Sequence, residues 1–104
     1  MSVHMHVTLE VRPGAMGAFC ALMEELVPVV EAVGWRLQGA YVQNTGRLNT
    51  VIDLWELDDM NHYQRGVEAI GAHAEAARFL ATLAETVQSE TIVFAQKAPY
   101  MAAA

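Results

Sequence analysis

At 104 residues the chain has the length of one domain, and 54% hydrophobic against 17% charged residues leaves more apolar side chain than a small monomer readily hides, which points to self-association. Six basic and twelve acidic residues give a formal charge of −6 with no Lys or Arg cluster, which argues against a nucleic-acid partner. Cys20 is the single cysteine, so an intrachain disulfide and a thiolate zinc cluster are excluded; no apolar run reaches membrane-spanning length, and a soluble, cytoplasmic protein is expected.

Residues 3 to 11, VHMHVTLEV, alternate strictly, with Val3, Met5, Val7, Leu9 and Val11 on one side and His4, His6, Thr8 and Glu10 on the other. That period of two predicts a half-covered strand, ended by Arg12-Pro13-Gly14 because proline cannot donate to a ladder. From about Ala15 to Val33, Phe19, Leu22, Met23, Leu26, Val30 and Val33 recur at three- and four-residue steps and predict an amphipathic helix stopped at Gly34. Pro28 predicts a kink within it, and Cys20 reads as a small buried hydrophobe.

Trp35 to Leu57 reads as two strands around Asn44-Thr45-Gly46-Arg47, a turn in which Gly46 can take positive φ. A two-residue loop pairs Asn44 with Arg47 and sets Ala40 opposite Val51, Gln38 opposite Asp53 and Arg36 opposite Trp55. Leu37, Gly39, Tyr41, Thr50, Ile52 and Leu54 then form the side expected under helices, and the polar face carries Asp53 and Trp55. Asp58 or Asp59 caps a second helical region with Met60, Tyr63, Val67 and Ile70 in stripe, interrupted at Gly71. A helix from about Ala74 to Val87 and a strand from Glu90 to Gln96 follow. The core is expected over 3–97, with a frayed tail over 98–104 in a single domain spanning 1–104.

This order predicts the α+β, ferredoxin-like split unit, a four-stranded antiparallel sheet ordered 4-1-3-2 with helices on one face. His4 and His6 would then neighbour Asp53 and Trp55 on the bare face, which two subunits can close into a shared cavity.

The run from Arg12-Pro13-Gly14 through Phe19, then GAYVQNTGRLNTVIDLWEL, Tyr63, Arg65 and Ala98-Pro99-Tyr100, resembles the NIPSNAP pattern within the dimeric α/β-barrel superfamily. The resemblance spans roughly residues 3 to 100 and departs at Asp53, where that pattern often has a histidine. It implies a homodimer forming an α/β barrel. The superfamily it points to includes cofactor-free oxygenases, isomerases, dehydratases and haem proteins.

His4, His6 and Asp53 are the candidate acid/base groups, because imidazole titrates near neutrality and burial raises a carboxyl. Arg36, Gln38, Asn49, Val51 and Trp55 on the hairpin, with His62, Tyr63 and Arg65 at the cavity mouth, are the candidate substrate contacts. Two histidines at i,i+2 fall short of a metal ligand set, so no metal or cofactor is assigned. The leading expectation is a small-molecule enzyme that moves a proton on a hydrophobic or aromatic metabolite, as an isomerase, cyclase, dehydratase or cofactor-free monooxygenase does. The alternatives are a non-catalytic binding or assembly module and, third, a haem protein using one of the four histidines.

Overall fold

The computed structural model describes residues 2–101. Its strands are β1 (Val3–Val11), β2 (Arg36–Val42), β3 (Thr50–Leu57) and β4 (Val87–Ala95), and its helices are α1 (Met16–Glu31), α2 (Met60–Ala72) and α3 (Ala76–Thr86). The sheet runs β2-β3-β1-β4 with every neighbour antiparallel, which is the expected ferredoxin-like order with β1 and β3 at the centre.

Strict alternation in β1 does what its period demands: Met5, Val7, Leu9 and Val11 are buried towards the helices. On α1 the stripe of Phe19, Leu22, Leu26 and Val30 meets them. The helix continues through Pro28, which lies in its last turn. Cys20 is exposed, not buried, because it sits one position past Phe19, about 100° around the helix from the core stripe.

The Asp59 side chain caps α2 by accepting from the His62 amide at 3.1 Å. Gly71 does not interrupt this helix; the break comes at His73, whose backbone is extended at φ −66°, ψ 146°. β4 follows α3 directly and begins at Val87, three residues before the expected start. Among the expected tail residues, 102–104 lie outside the described residues, while Met101 closes a turn by donating to the Ala98 carbonyl at 2.9 Å.

The hairpin departs from its predicted register. Its strands end at Val42 and restart at Thr50, so the connection is longer than two residues; Gln43 donates to the Thr50 carbonyl at 2.9 Å. Val42 faces Val51 and Ala40 faces Asp53, and a bulge between Leu37 and Gly39 brings Leu37 opposite Trp55 and Arg36 opposite Glu56. Which of the hairpin's two faces the helices cover is the reverse of the expectation. Val51, Asp53, Trp55 and Leu57 point under the helices, and Ile52, Leu54 and Glu56 face the open side. The reason lies in β1: Val7 pairs with Asp53 and Met5 with Trp55, so Asp53 and Trp55 must share the covered face of their apolar partners.

Candidate functional site between sheet and helices

Antiparallel pairing of β1 with both neighbours fixes which side chains enter the space under the helices. From β3 come Asp53 and Trp55; from β4, in register with Leu9, Val7 and Met5, come Glu90, Ile92 and Phe94. The helices do not fill this space. A cavity of about 380 Å³ lies between the sheet and all three helices, within the size range of small-molecule sites. A groove of about 450 Å³ lies between α1 and the β2–β3 hairpin. Asp53, Met23 and Val27 line both, so Asp53 stands where the two spaces meet.

An aromatic wall closes one side of the inner cavity. Trp35 donates its indole N–H to the His62 carbonyl at 2.6 Å, stacks on Tyr63 with ring centroids 5.9 Å apart, and meets Trp55 edge-on at 5.3 Å. Phe94 packs edge-on against Tyr63 at 5.4 Å. Gly66 on α2 makes this possible, since a Cβ there would fall inside the Trp35 indole. The opposite side is aliphatic, from Leu26, Val30, Ile70 and Leu83. Val67, Gly71, Leu80 and Glu90 are the exposed lining residues and mark where the cavity opens, between α2, α3 and β4.

Asp53 is the chemical exception in this apolar space. It is 4% exposed, and its carboxyl makes no hydrogen bond or ion pair among the described residues. Burial, and secondarily the negative charge of Glu90, push its pKa from 3.8 up to about 6. Glu90 is likewise raised by its apolar surroundings. None of the described residues lining either space is Lys, Arg or His. A carboxyl poised near neutrality without a protein partner can take a proton from, or return one to, a bound molecule.

The expected site residues therefore separate. Asp53, Val51, Trp55 and Tyr63 line the covered spaces. His4 and His6 do not neighbour Asp53; they pair with Glu56 and Leu54 and lie on the open face, because they alternate with the buried Met5 and Val7. Arg36 pairs its charge with Asp58 at 3.1 Å and Glu56 at 3.5 Å instead of lying over Trp55. Gln38 is exposed at the bulge. Asn49, at φ 63°, uses its carbonyl to accept from Val11 at 2.8 Å, which ties the hairpin connection to β1.

His62 is turned away from the cavity mouth: its Nδ1 accepts from the Asp58 amide at 3.3 Å and its ring packs on Gly34. Arg65 is exposed and lines neither space. Glu90 is the residue the sequence reading missed. Its signal was the alternation Glu90, Ile92, Phe94, which follows the carboxyl inward once the aromatic is assigned to the core. No group of three or more His, Cys, Asp or Glu positioned to hold a metal occurs among the described residues. No helix among the described residues is long and apolar enough to cross a membrane.

A family profile described as NIPSNAP matches residues 6–101. Among solved structures, a NIPSNAP family protein from Agrobacterium tumefaciens str. C58 superposes with a TM-score of 0.80 at 17% identity, covering 95% of this chain and 88% of that one. A NIPSNAP domain protein from Burkholderia xenovorans, itself uncharacterized, gives a TM-score of 0.76 at 24% identity and covers 96% and 97%. A provisionally named antibiotic biosynthesis monooxygenase from Caulobacter crescentus CB15 gives 0.73 at 17% identity and covers 93% and 90%, a likeness of fold. No curated protein matches the chain.

Proposed function

We propose, from the premise that this chain belongs to the NIPSNAP family, that it binds a small apolar or aromatic molecule between sheet and helices and that Asp53 transfers a proton on it. One observation carries this reading: a carboxyl 4% exposed, without a partner among the described residues, at the junction of two apolar spaces. Such a group is costly to bury and is retained where its chemistry is used. In the simplest step the Asp53 carboxylate takes a proton from carbon next to a ligand carbonyl. The C–H electron pair becomes an enolate, Asp53 becomes the neutral acid, and returning the proton to the same or another carbon completes exchange or isomerisation. Water exclusion by Trp35, Trp55 and Tyr63 favours the uncharged acid that this step produces.

Deuterium wash-in tests this. 2-Tetralone incubated in D2O with the protein and followed by proton NMR should exchange its α-hydrogens at least about 100-fold faster with wild type than with Asp53→Asn. Equal rates in the two proteins reject Asp53 as the base.

The same reading includes a homodimer through the open sheet face. Its support is the apolar content of that face, where Tyr41 is 61% and Val93 49% exposed beside Ile52 and Leu54. Leu54→Glu should shift the sedimentation coefficient from dimer to monomer; an unchanged value removes this face as the contact.

A further inference from the structure

The cavity carries a further statement, about the charge of its ligand. Two carboxyls flank β1 on the covered face, Asp53 opposite Val7 and Glu90 opposite Leu9, with backbones on the order of 10 Å apart across two strand spacings. Around them the wall is hydrocarbon and aromatic ring, and none of the described lining residues supplies a cation. The Trp35 indole N–H on the aromatic wall is already given to the His62 carbonyl. An anionic ligand would enter against two like charges with no counter-ion, a combination that costs both Coulomb and desolvation energy. A ligand with a positive end meets the reverse situation.

We infer that the cavity is selective for a hydrophobic organic amine, its ammonium held by Glu90 at the mouth and its apolar body inside towards Asp53. This rests on the cavity being a small-molecule site, as proposed above. Placement follows from exposure. Glu90 lies at the exposed rim with Val67 and Leu80, where an ammonium keeps part of its hydration. The interior beyond it offers Trp35, Trp55 and Tyr63, which suit an aromatic or alkyl body. Asp53, deepest of the polar groups, is left facing the body of the ligand, the position a proton-transferring group needs.

Charge pairing also couples binding to pH. The titratable groups that face this space are Glu90 from β4, Tyr63 from α2 and, on the groove side of Asp53, Glu24 and Cys20 from α1, while Tyr41 of β2, on the open side of the sheet, only borders the groove. From β1 come Met5, Val7 and Leu9, and from α3 Leu80 and Leu83, none of which titrates. Both carboxyls are raised from their ordinary values by burial, and Asp53, at about 6, ionises as pH climbs towards neutrality. An ammonium ligand binds the ionised pair, so its affinity rises with pH over that window while a neutral isostere's does not.

The experiment uses three probes of one shape, 2-phenylethylamine, 2-phenylethanol and phenylacetate, titrated into the full chain and followed by amide chemical-shift changes. At pH 8 the amine should bind about tenfold tighter than the alcohol, and phenylacetate weaker than either. Lowering the pH to 5.5 should weaken the amine by at least about threefold and leave the alcohol unchanged. Glu90→Gln, a change at an exposed position, should abolish the preference for the amine; retained binding of the alcohol shows that the cavity is intact. An alcohol that binds as tightly as the amine at pH 8 overturns the charge selectivity and leaves the cavity reading standing. Absence of binding by all three probes, or shifts confined to the open sheet face, overturns both.

Discussion

Asp53→Asn should gain stability relative to wild type as pH rises from acid to neutral. The folded carboxyl holds its proton up to about pH 6, whereas the unfolded one releases it at 3.8. Its contribution to stability is therefore fully present below pH 3.8 and is lost as pH rises through about 6. At about 1.4 kcal/mol per pK unit, the ionised group costs the fold about 3 kcal/mol from pH 7 upward. Most of that is burial, with the Glu90 charge the smaller part.

Asparagine keeps the shape and never ionises, so the gap between variant and wild type should widen by about 2.5 kcal/mol between pH 4 and pH 8. The amide, unpartnered in the same place, adds an offset of about 1–3 kcal/mol that does not vary with pH. The test is thus the slope and not the intercept. Urea unfolding at fixed protein concentration, every half pH unit, measures it; for a domain of this length the change corresponds to a melting shift on the order of 10 °C. A gap constant to within about 0.5 kcal/mol across the series would refute the assignment of Asp53 as a buried, unpaired acid.

Other perturbations address the walls of the same site. Gly66→Ala should destabilise by about 1–3 kcal/mol with a shift in tryptophan fluorescence, because its Cβ enters the Trp35 indole. The ordinary gain of about 1 kcal/mol for Ala over Gly in a helix, seen in urea unfolding, would count against that packing. Trp55→Ala, at a side chain 4% exposed, should cost about 3–5 kcal/mol by the same assay and enlarge the cavity; a loss below about 1 kcal/mol would mean that the indole is not part of the core. Arg78 bridges α3 to α1 through both oxygens of Glu25, at 2.7 and 3.0 Å, on an exposed surface. Arg78→Ala should lower the melting temperature only slightly, and less in high salt; a salt-independent loss would assign it packing instead of charge.

Much of this architecture is legible in local pattern. The alternation of Val3 to Val11 and the stripe on α1 each name their own buried face, because the bulky apolar residues Phe19, Leu22, Leu26 and Val30 recur at helical spacing and those of β1 at every second position. The hairpin is different. It has Tyr41, Ile52 and Leu54 on one face and Val42, Val51 and Trp55 on the other, so hydrophobicity alone does not say which is covered. The bulge after Leu37 adds a change of phase that no turn residue announces. Tyr63 is legible as a candidate because it lies in the α2 stripe; Glu90 is not, because β4 mixes polar and apolar residues along its length.

The sequence by itself determined the element order, the alternation within β1 and the presence of a carboxyl among apolar neighbours at Asp53. Those follow from backbone geometry acting over a few residues. Only the tertiary structure decided that His4 and His6 stand on the opposite side of the sheet from Asp53, and that Glu90 joins it. Both depend on pairing between strands more than 40 residues apart in sequence. Once Val7 must face the helices, antiparallel register carries Asp53 inward with it and turns the histidines out.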